Sequence, residues 1–293
     1  MDTKIIANPS EQDIDTLARA LRNGELVSIP TETVYGLGAN GLDPEAMDKI
    51  YAAKGRPSDN PLILHVPNSE SIKPLVTEIS ATAQALMDAF WPGPLTITLP
   101  KSDLVPDRAT GGLPRVALRC PDHKVCRALL ERAGVPVAAP SANISGRPSP
   151  TTAQDVYHDM KGRISYILDA GSCTIGVEST VVEVHDDKVI ILRPGGITKA
   201  QLERVVSTVE YDTALVNATT IPKAPGMKYT HYAPDAPMTV VVGSPEGVAH
   251  TFKELAEGIE GPIGCLVSHE TYNLIKEDGR FMCHCFGHHR DAL

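Results

Sequence analysis

Residues 180–192 read Thr-Val-Val-Glu-Val-His-Asp-Asp-Lys-Val-Ile-Ile-Leu, two apolar runs separated by three polar residues. Val and Ile are enriched in strands, and a short polar stretch between two such runs is typical of a hairpin. We therefore expect strands at Thr180–His185 and Val189–Leu192, joined through Asp186–Lys188. Because the two arms of a hairpin pair antiparallel, this stretch predicts a sheet that is not purely parallel.

Strand-like runs and helical patterns alternate through the chain that precedes the hairpin. The strand-like runs are Leu26–Pro30, Leu62–Val66, Leu95–Leu99, Val116–Arg119, Val135–Ala139 and Ser165–Leu168. Apolar residues at helical spacing indicate helices at Asp13–Leu21, Pro44–Ala53, Ala81–Phe90 and Lys124–Ala133. Since the alternation is imperfect and the hairpin is antiparallel, we predict an α/β fold with an open, twisted mixed sheet and not a regular Rossmann arrangement.

The composition changes after Tyr211. Residues 212–236 are rich in Thr, Ala and Pro and show no periodicity, which is typical of a linker or a functional loop. Beyond them, Met238–Val242 and Pro262–Ser268 have strand character and Gly247–Ala256 has helical character, so we expect a small α/β unit. The predicted organisation is a domain at 1–211, a linker at 212–236 and a short or truncated C-terminal region at 237–293.

The net charge of −9 argues against wholesale binding of nucleic acid or of an anionic membrane. Any anion site must then be a local cluster of Lys and Arg. The N-terminus lacks the pattern of a signal peptide, and no apolar run approaches the ~20 residues that span a bilayer. We predict a cytoplasmic protein with no membrane association.

The C-terminal tail carries Cys283-His284-Cys285, followed by His288 and His289. These are residues that zinc prefers, but a C-x-C pair with no second pair is not the usual spacing of a zinc site. A disordered tail, or accidental enrichment, is the favoured interpretation.

Three loops could carry chemistry, and each has an ordinary structural alternative. The segment Pro30–Gly38, Pro-Thr-Glu-Thr-Val-Tyr-Gly-Leu-Gly, follows a strand and suits close approach to a small ligand. It equally suits a turn in which Thr31 or Thr33 caps a following helix. Residues 54–57, Lys-Gly-Arg-Pro, end a helix, where cations favour the helix dipole. Lys54 and Arg56 could instead project together into a cleft and bind a triphosphate or bicarbonate.

The third loop, 139–148, reads Ala-Pro-Ser-Ala-Asn-Ile-Ser-Gly-Arg-Pro and follows a strand, where α/β sheets place ligand contacts. An ordinary turn of Ser, Asn, Gly and Pro is its alternative. Polar residues also lie at strand ends: Arg119, Ser179, Thr180 and Arg193. An arginine there is more often a solvated surface residue than a ligand.

Three other titratable residues are ambiguous. His65 lies inside an apolar strand, where a core histidine is the default interpretation. Glu32 and Glu178 could be imagined as an acid/base pair, but no spacing rule supports the pairing. The phosphate-binding loop, nucleophile-elbow, zinc-protease and dinucleotide signatures are absent, so those enzyme classes lose weight.

Taken in order, the loops resemble one family. Five motifs in this order are similar to those of the YrdC/Sua5 family of threonylcarbamoyl-AMP synthases. They are Pro-Thr-Glu-Thr-Val-Tyr-Gly-Leu-Gly, Lys-Gly-Arg-Pro, Pro-Ser-Ala-Asn-Ile-Ser-Gly, Glu-Ser-Thr-Val-Val and Leu-Arg-Pro-Gly. Residues 224–228 and 231–234 resemble the linker of the longer, Sua5-type members. The resemblance runs from about Thr3 to Pro234, and it implies a catalytic domain with a concave, cationic cavity.

The resemblance also implies a reaction, in which L-threonine, bicarbonate and ATP with Mg²⁺ give threonylcarbamoyl-AMP and pyrophosphate. By matching to the family's motifs, Lys54 and Arg56 carry catalysis and, with Ser141, Asn143, Arg193 and Tyr232, bind the nucleotide. The positions that resemble the threonine pocket are Thr31, Tyr35, His65, Arg119 and Ser179. The product would pass to a tRNA threonylcarbamoyl transferase for modification of a tRNA adenosine, with at most weak direct binding of tRNA.

Two other functions stay open at the level of sequence. One is a module that binds double-stranded RNA or tRNA without catalysis, against which the acidity and the few aromatics count. The other keeps the fold and transfers a carbamoyl group to a different acceptor.

Overall fold

The structure is a computed structural model that describes residues 2–186, 188–215, 233 and 236–287. It divides the chain into two compact units, Met1–Ala233 and Pro234–Leu293. The predicted linker at 212–236 falls mostly outside the described residues. The predicted domain limits therefore stay a prediction.

The described residues of the large unit form strands interspersed with helices. Its strands are β1 (Lys4–Ala7), β2 (Val27–Ile29), β3 (Gly36–Asn40), β4 (Ile63–His65), β5 (Leu95–Pro100), β6 (Arg115–Arg119), β7 (Val137–Ala138), β8 (Tyr166–Asp169), β9 (Thr180–Val184), β10 (Val189–Arg193) and β11 (Val209–Tyr211). Its helices are α1 (Glu11–Arg22), α2 (Pro44–Lys54), α3 (Ala81–Phe90), α4 (Asp107–Thr110), α5 (Lys124–Ala133), α6 (Ala153–Met160) and α7 (Lys199–Leu202), with 3₁₀ turns at Glu70–Leu75 and Thr213–Leu215.

The described strands of the large unit form one mixed sheet, which confirms the predicted fold class. Their order is β1-β8-β2-β3-β7-β4-β6-β5-β9-β10-β11. Neighbours such as β4 and β6 are parallel, whereas β9 and β10 are antiparallel with Val189 opposite Val184. The stretch at 180–192 is thus the predicted hairpin.

Because successive side chains of a strand point to opposite faces, the two faces of the sheet pack against different residues. Leu64 and Leu118 belong to the main core, while their chain neighbours Ile63 and Ala117 form a separate small cluster with Leu192. The second of these clusters lies on the opposite face of the strands. That face carries the polar residues described in the next subsection.

One prediction about the large unit's motifs needs correction. No helix follows Thr31 or Thr33; the segment after Tyr35 is strand β3, which pairs antiparallel with β2. A helix cap at this position is therefore wrong. Glycine at position 38 is required by packing, since a Cβ there would lie 2.9 Å from a Val137 methyl group and 3.0 Å from a backbone oxygen.

The small unit contains α8 (Pro245–Leu255), β12 (Ile263–Ser268), α9 (His269–Ile275) and β13 (Phe281–Gly287). Strands β12 and β13 are parallel neighbours joined by α9. The predicted strand at Met238–Val242 is wrong, because this segment pairs with no described strand and its three large side chains are exposed. A run of apolar residues predicts a strand, but a strand also needs a neighbouring strand that accepts and donates its backbone hydrogen bonds.

The prediction of a disordered tail is also wrong as far as Gly287, since Cys283 and Cys285 lie within β13. His288 and His289 lie outside the described residues. Within the described part of the chain, no cluster of three or more His, Cys, Asp or Glu side chains could hold a metal ion. Nor does any described helix combine the length and hydropathy of a bilayer-crossing segment.

Candidate active site

One cleft in the large unit gathers most of the polar residues that the motifs suggested. It encloses about 580 Å³ of space, part of it open solvent. The residues predicted for the site that line it are Thr31, Arg56, His65, Arg119, Ser141, Ser179 and Arg193. Side chains that are far apart in the sequence therefore meet around a single space.

The parallel pairing of β4 and β6 brings His65 and Arg119 side by side. They are register partners at the ends of their strands. His65 shares a face with Ile63, two residues earlier, and both line the cleft. The last residue of each strand therefore points into the space in front of the sheet.

The loop after β2 is held by its own threonines. The Thr31 hydroxyl donates to the Val34 carbonyl at 2.6 Å and accepts from the backbone N–H of Thr33 and of Val34, both at 3.2 Å. The Thr33 hydroxyl lies 3.0 Å from that of Thr31 and accepts from Arg119 Nη1 at 2.9 Å. These bonds fix both hydroxyls in the cleft wall.

Arg119 forms a buried ion pair with Glu32. The two atoms Nη2 and Oε1 are 2.7 Å apart, and the residues are 4% and 5% exposed. Arg119 Nε also donates to the Gly93 carbonyl at 3.3 Å. Its guanidinium therefore both lines the cleft and fastens the loop of Thr31–Val34 to the sheet.

His65 is buried and its imidazole is neutral at physiological pH. Burial lowers the pKa of His65 to about 3, assisted by the positive charge of Arg119 and opposed by hydrogen bonds with Ile63 and Val137. Its Nδ1 lies 3.2 Å from the Ile63 carbonyl. The cleft thus holds a neutral hydrogen-bonding ring beside a permanent cation.

The pH dependence of stability tests this neutral histidine. Since the folded pKa of His65 is about 3 and the unfolded value is 6.5, the unfolded chain binds more protons between them, and stability falls as the pH falls. Between pH 7 and pH 5 we expect the wild type to lose about 2 kcal/mol more unfolding free energy than His65→Gln, measured by urea unfolding. Equal losses in the two proteins would show that His65 is not held neutral.

Lys54 lies behind the cleft wall and not in it. Its Nζ donates to the carbonyls of Ser141 at 2.5 Å and Asn143 at 2.6 Å, and to Asn143 Oδ1 at 3.4 Å. The side chain is 1% exposed, and burial holds the pKa of Lys54 well below its usual value, with the charge of Arg56 as the next cause. Lys54 therefore anchors the loop at 141–145 to the end of α2.

Replacing Lys54 by methionine should destabilise the fold and disturb this loop. Two buried carbonyls would lose their donor, so we expect the unfolding free energy to fall by roughly 2–4 kcal/mol and turnover to fall with it. The matched control is Lys49→Met on the same helix, where an exposed ammonium donates to the Gly24 carbonyl. Equal stability of the two variants in urea unfolding would argue against the anchor.

Asn143 completes the same arrangement. Its Nδ2 donates to the carbonyls of Ile144 at 2.9 Å and Arg147 at 2.8 Å, and the residue is 2% exposed. The Ser141 side of the loop is joined to β3 by a bridge between Gly36 and Ser141. Asn143 thus shapes the loop from within, and Ser141 faces the cleft.

Ser179 and Arg193 form the opposite wall. The Ser179 hydroxyl lies 2.7 Å from that of Thr96, and Arg193 Nη2 donates to the Ser179 carbonyl at 2.8 Å. The backbone of Gly195 packs against this strand start, where a Cβ would lie 2.3 Å from the Glu178 carbonyl oxygen. Only glycine fits there, so the wall has a fixed backbone.

Arg56 enters the cleft from the end of α2. Gly55 ends the helix in the left-handed region at φ 61°, which suits glycine and turns the chain. Arg56 Nη2 donates to the Pro61 carbonyl at 3.2 Å, and the residue is 7% exposed. With Arg119 and Arg193, it gives the cleft three buried guanidinium groups.

Comparison with protein families places the chain. The family model Sua5_yciO_yrdC, described as telomere recombination, matches residues 19–195. The chain belongs to this Sua5/YciO/YrdC family. A second model, described as the C-terminal domain of threonylcarbamoyl-AMP synthase, matches residues 197–289.

Curated relatives of this Sua5-type chain share much of its length. A threonylcarbamoyl-AMP synthase of Bacillus subtilis is 48% identical over 92% of this chain and 78% of that protein. One of Pyrococcus abyssi is 48% identical over 84% of this chain and 72% of that protein. The crystal structure of P. abyssi Sua5 complexed with L-threonine has a TM-score of 0.85 and 44% identity, covering 90% of this chain and 80% of that one.

Of the residues that the Sua5-type resemblance suggested, Tyr35, Lys54 and Asn143 do not line the cleft. Tyr35 is fully buried, and its hydroxyl donates to the Gly171 carbonyl at 2.7 Å. Lys54 and Asn143 lie behind the loop, as described above. Tyr232 lies outside the described residues, although the neighbouring Ala233 donates its backbone N–H to the Gly146 carbonyl at 2.9 Å. The predicted roles of these four residues stay predictions.

The cleft also contains residues for which the family resemblance implied no role in binding. Thr33, Pro61 and Ile63 line it, as does Glu178. Ile63 could have been found by counting two residues back from His65. The sequence could not show that Glu32 pairs with Arg119 while Glu178 lines the cleft, because this difference depends on contacts between distant parts of the chain.

Proposed function

We propose that this chain is a threonylcarbamoyl-AMP synthase, which forms threonylcarbamoyl-AMP and pyrophosphate from L-threonine, bicarbonate and ATP. The observation that carries the proposal is the cleft, where three buried arginines, a neutral histidine and several hydroxyls surround one space. The 48% identity to a protein of that name over 92% of the chain supports it.

The chemistry needs positioning and charge neutralisation more than a protein nucleophile. The threonine nitrogen forms a bond to the carbon of bicarbonate, and water leaves. An oxygen of the resulting carbamate then attacks the α-phosphorus of ATP, and pyrophosphate leaves. A rigid, cationic cleft accelerates both steps by holding the reactants in line and by stabilising negative charge.

The residues that line the cleft can bind different parts of the substrates. Arg56 and Arg193 face the cleft from two sides and can bind phosphate oxygens with their planar forks. Arg119 can bind the threonine carboxylate with the donors that Glu32 and Thr33 do not occupy. The neutral His65 can hydrogen-bond the threonine side chain, which favours threonine over analogues without a hydroxyl.

Magnesium enters as part of the nucleotide substrate. Mg²⁺ usually keeps several waters and binds through substrate phosphates with one or two carboxylates, so it needs no dedicated protein cage. It would share the charge of the leaving pyrophosphate with Arg56.

The product is a mixed anhydride and therefore an activated threonylcarbamoyl donor. Its use in modifying a tRNA adenosine, through a separate transferase in the cytoplasm, is the part of the proposal that the family resemblance supports. The net charge of −9 is consistent with tRNA being the transferase's substrate and not a tight ligand of this chain.

Release of pyrophosphate tests the function. The purified chain should release pyrophosphate from ATP with Mg²⁺ and bicarbonate when L-threonine is added, and much less with L-serine or L-alanine. Release that is equal with every amino acid would favour carbamoyl transfer to another acceptor. No release from folded protein would contradict the proposal.

A further inference from the structure

The reaction proposed above releases a proton that some group must accept. Threonine is an ammonium ion at neutral pH, and its nitrogen must lose protons before it can bond to carbon. The arginines that line the cleft cannot accept a proton, since a guanidinium stays charged in proteins. The required group is a base within reach of the threonine nitrogen.

Glu178 is the carboxylate that the cleft presents. Of the described residues that line it, Glu178 is the only Asp or Glu. The nearby Glu32 is 5% exposed and its carboxylate is paired with Arg119, so it is already neutralised. By contrast, no ion pair involves Glu178 within the part of the chain that the structure describes, and its Oε1 accepts a hydrogen bond from the Ser149 hydroxyl.

The backbone around Glu178 is fixed from both sides. Its carbonyl accepts from the Gly196 N–H at 2.9 Å, and the N–H of Ile175 donates to the Glu32 carbonyl at 2.8 Å. A Cβ on Gly195 would collide with the carbonyl of Glu178, so this approach depends on glycine. The Ser149 hydroxyl then orients a carboxylate that is already held in place, which is the arrangement of a positioned base.

The charges of the cleft complement those of a bound amino acid. A threonine zwitterion offers a carboxylate to Arg119 and an ammonium group to Glu178, whose neighbour Ser179 also lines the cleft. The opposite orientation would place like charges together.

We propose that Glu178 is the catalytic base of carbamate formation, which rests on the function proposed above. The Glu178 carboxylate takes one proton from the threonine ammonium group, and the free amine then bonds to the bicarbonate carbon. A C–O bond of bicarbonate breaks, and its hydroxyl leaves as water with the second nitrogen proton. In balance, the ammonium group, HCO₃⁻ and the Glu178 carboxylate give the carbamate anion, one water and the protonated acid. Glu178 then returns the proton to solvent before the next turnover.

Formate rescue tests this role. In Glu178→Ala we expect kcat/KM for threonine to fall by about 10²–10⁴ at neutral pH. Added formate should restore part of the activity in proportion to its concentration, because it supplies a carboxylate to the vacated space. In Glu178→Gln, where the amide fills that space, formate should have no effect. The loss of activity that the wild type shows at acid pH should be absent from Glu178→Gln.

The controls separate this proposal from the function itself. Glu203→Gln removes a carboxylate at the end of α7 that pairs with Lys199, and it should leave turnover unchanged. If the wild type is active and Glu178→Gln has nearly the same activity, the role of Glu178 is overturned and the proposed function is not. A low activity of Glu178→Ala that formate does not raise, combined with an unchanged loss of activity at acid pH in Glu178→Gln, would overturn that role as well. An inactive wild type would instead overturn the proposed function.

Discussion

Replacing Arg119 by methionine is expected to destabilise the protein by about 3–5 kcal/mol, because it leaves the buried Glu32 carboxylate without its partner. The Thr33 hydroxyl would lose its donor as well, so the loop of Thr31–Val34 would no longer be fixed to β6. We expect adenylate formation to fall below detection, since the same guanidinium faces the substrate. Urea unfolding and the pyrophosphate assay measure the two effects separately.

A second substitution separates the two roles of Arg119. Adding Glu32→Gln to Arg119→Met removes the uncompensated charge and should recover much of the lost stability, but not the activity. The surface control is Arg132→Met, whose exposed pairs with Glu11 and Asp15 should contribute little to stability. A double variant no more stable than Arg119→Met would contradict the buried pair as described.

Replacing Arg56 by alanine is expected to lower kcat/KM for ATP by about 10²–10³, the usual cost of removing one preorganised donor to a developing charge. Arg56→Lys should recover little of this loss, because an ammonium keeps the charge but not the planar fork. Initial rates at varied ATP concentration check this.

Arg108 provides the matched control for Arg56. It lies on α4, pairs with Asp48 and covers the Tyr51 ring at 4.9 Å, and it does not line the cleft. Arg108→Ala should therefore turn over ATP at nearly the wild-type rate. If Arg56→Ala and Arg108→Ala were equally active, the cleft would not be the nucleotide site.

Local patterns predicted the fold where each element carries its own signal. The helix of Ala81–Phe90 has the predicted bounds, and the hairpin of residues 180–192 follows from Val and Ile runs on either side of a polar turn. The strand Gly36–Asn40 was missed because two glycines lower its β propensity, and it exists through pairing with β2 and β7. At Met238–Val242 a strand was predicted that does not form. The reason is the same, since the pairing of a strand is not a local property of its sequence.

The candidate site was predictable as a set of loops but not as a set of contacts. The strand-end position of Arg119 and the sequence order of the motifs indicated a cleft. Which side chains face it depends on tertiary pairing: the ammonium of Lys54 turns to the carbonyls of Ser141 and Asn143 and away from the cleft. His65 is 3% exposed, as expected of a core histidine, and it also lines the cleft. Its role in binding threonine stays a prediction.

Carbon labelling tests the central claim most directly. The chain is incubated with ATP, Mg²⁺, L-threonine and ¹³C-bicarbonate, and the adenylate is analysed by mass spectrometry. We expect threonylcarbamoyl-AMP that carries one ¹³C atom, since the carbamoyl carbon comes from bicarbonate. An unlabelled threonyl-adenylate, formed by direct attack of the threonine carboxylate on ATP, or the absence of any adenylate, would contradict it.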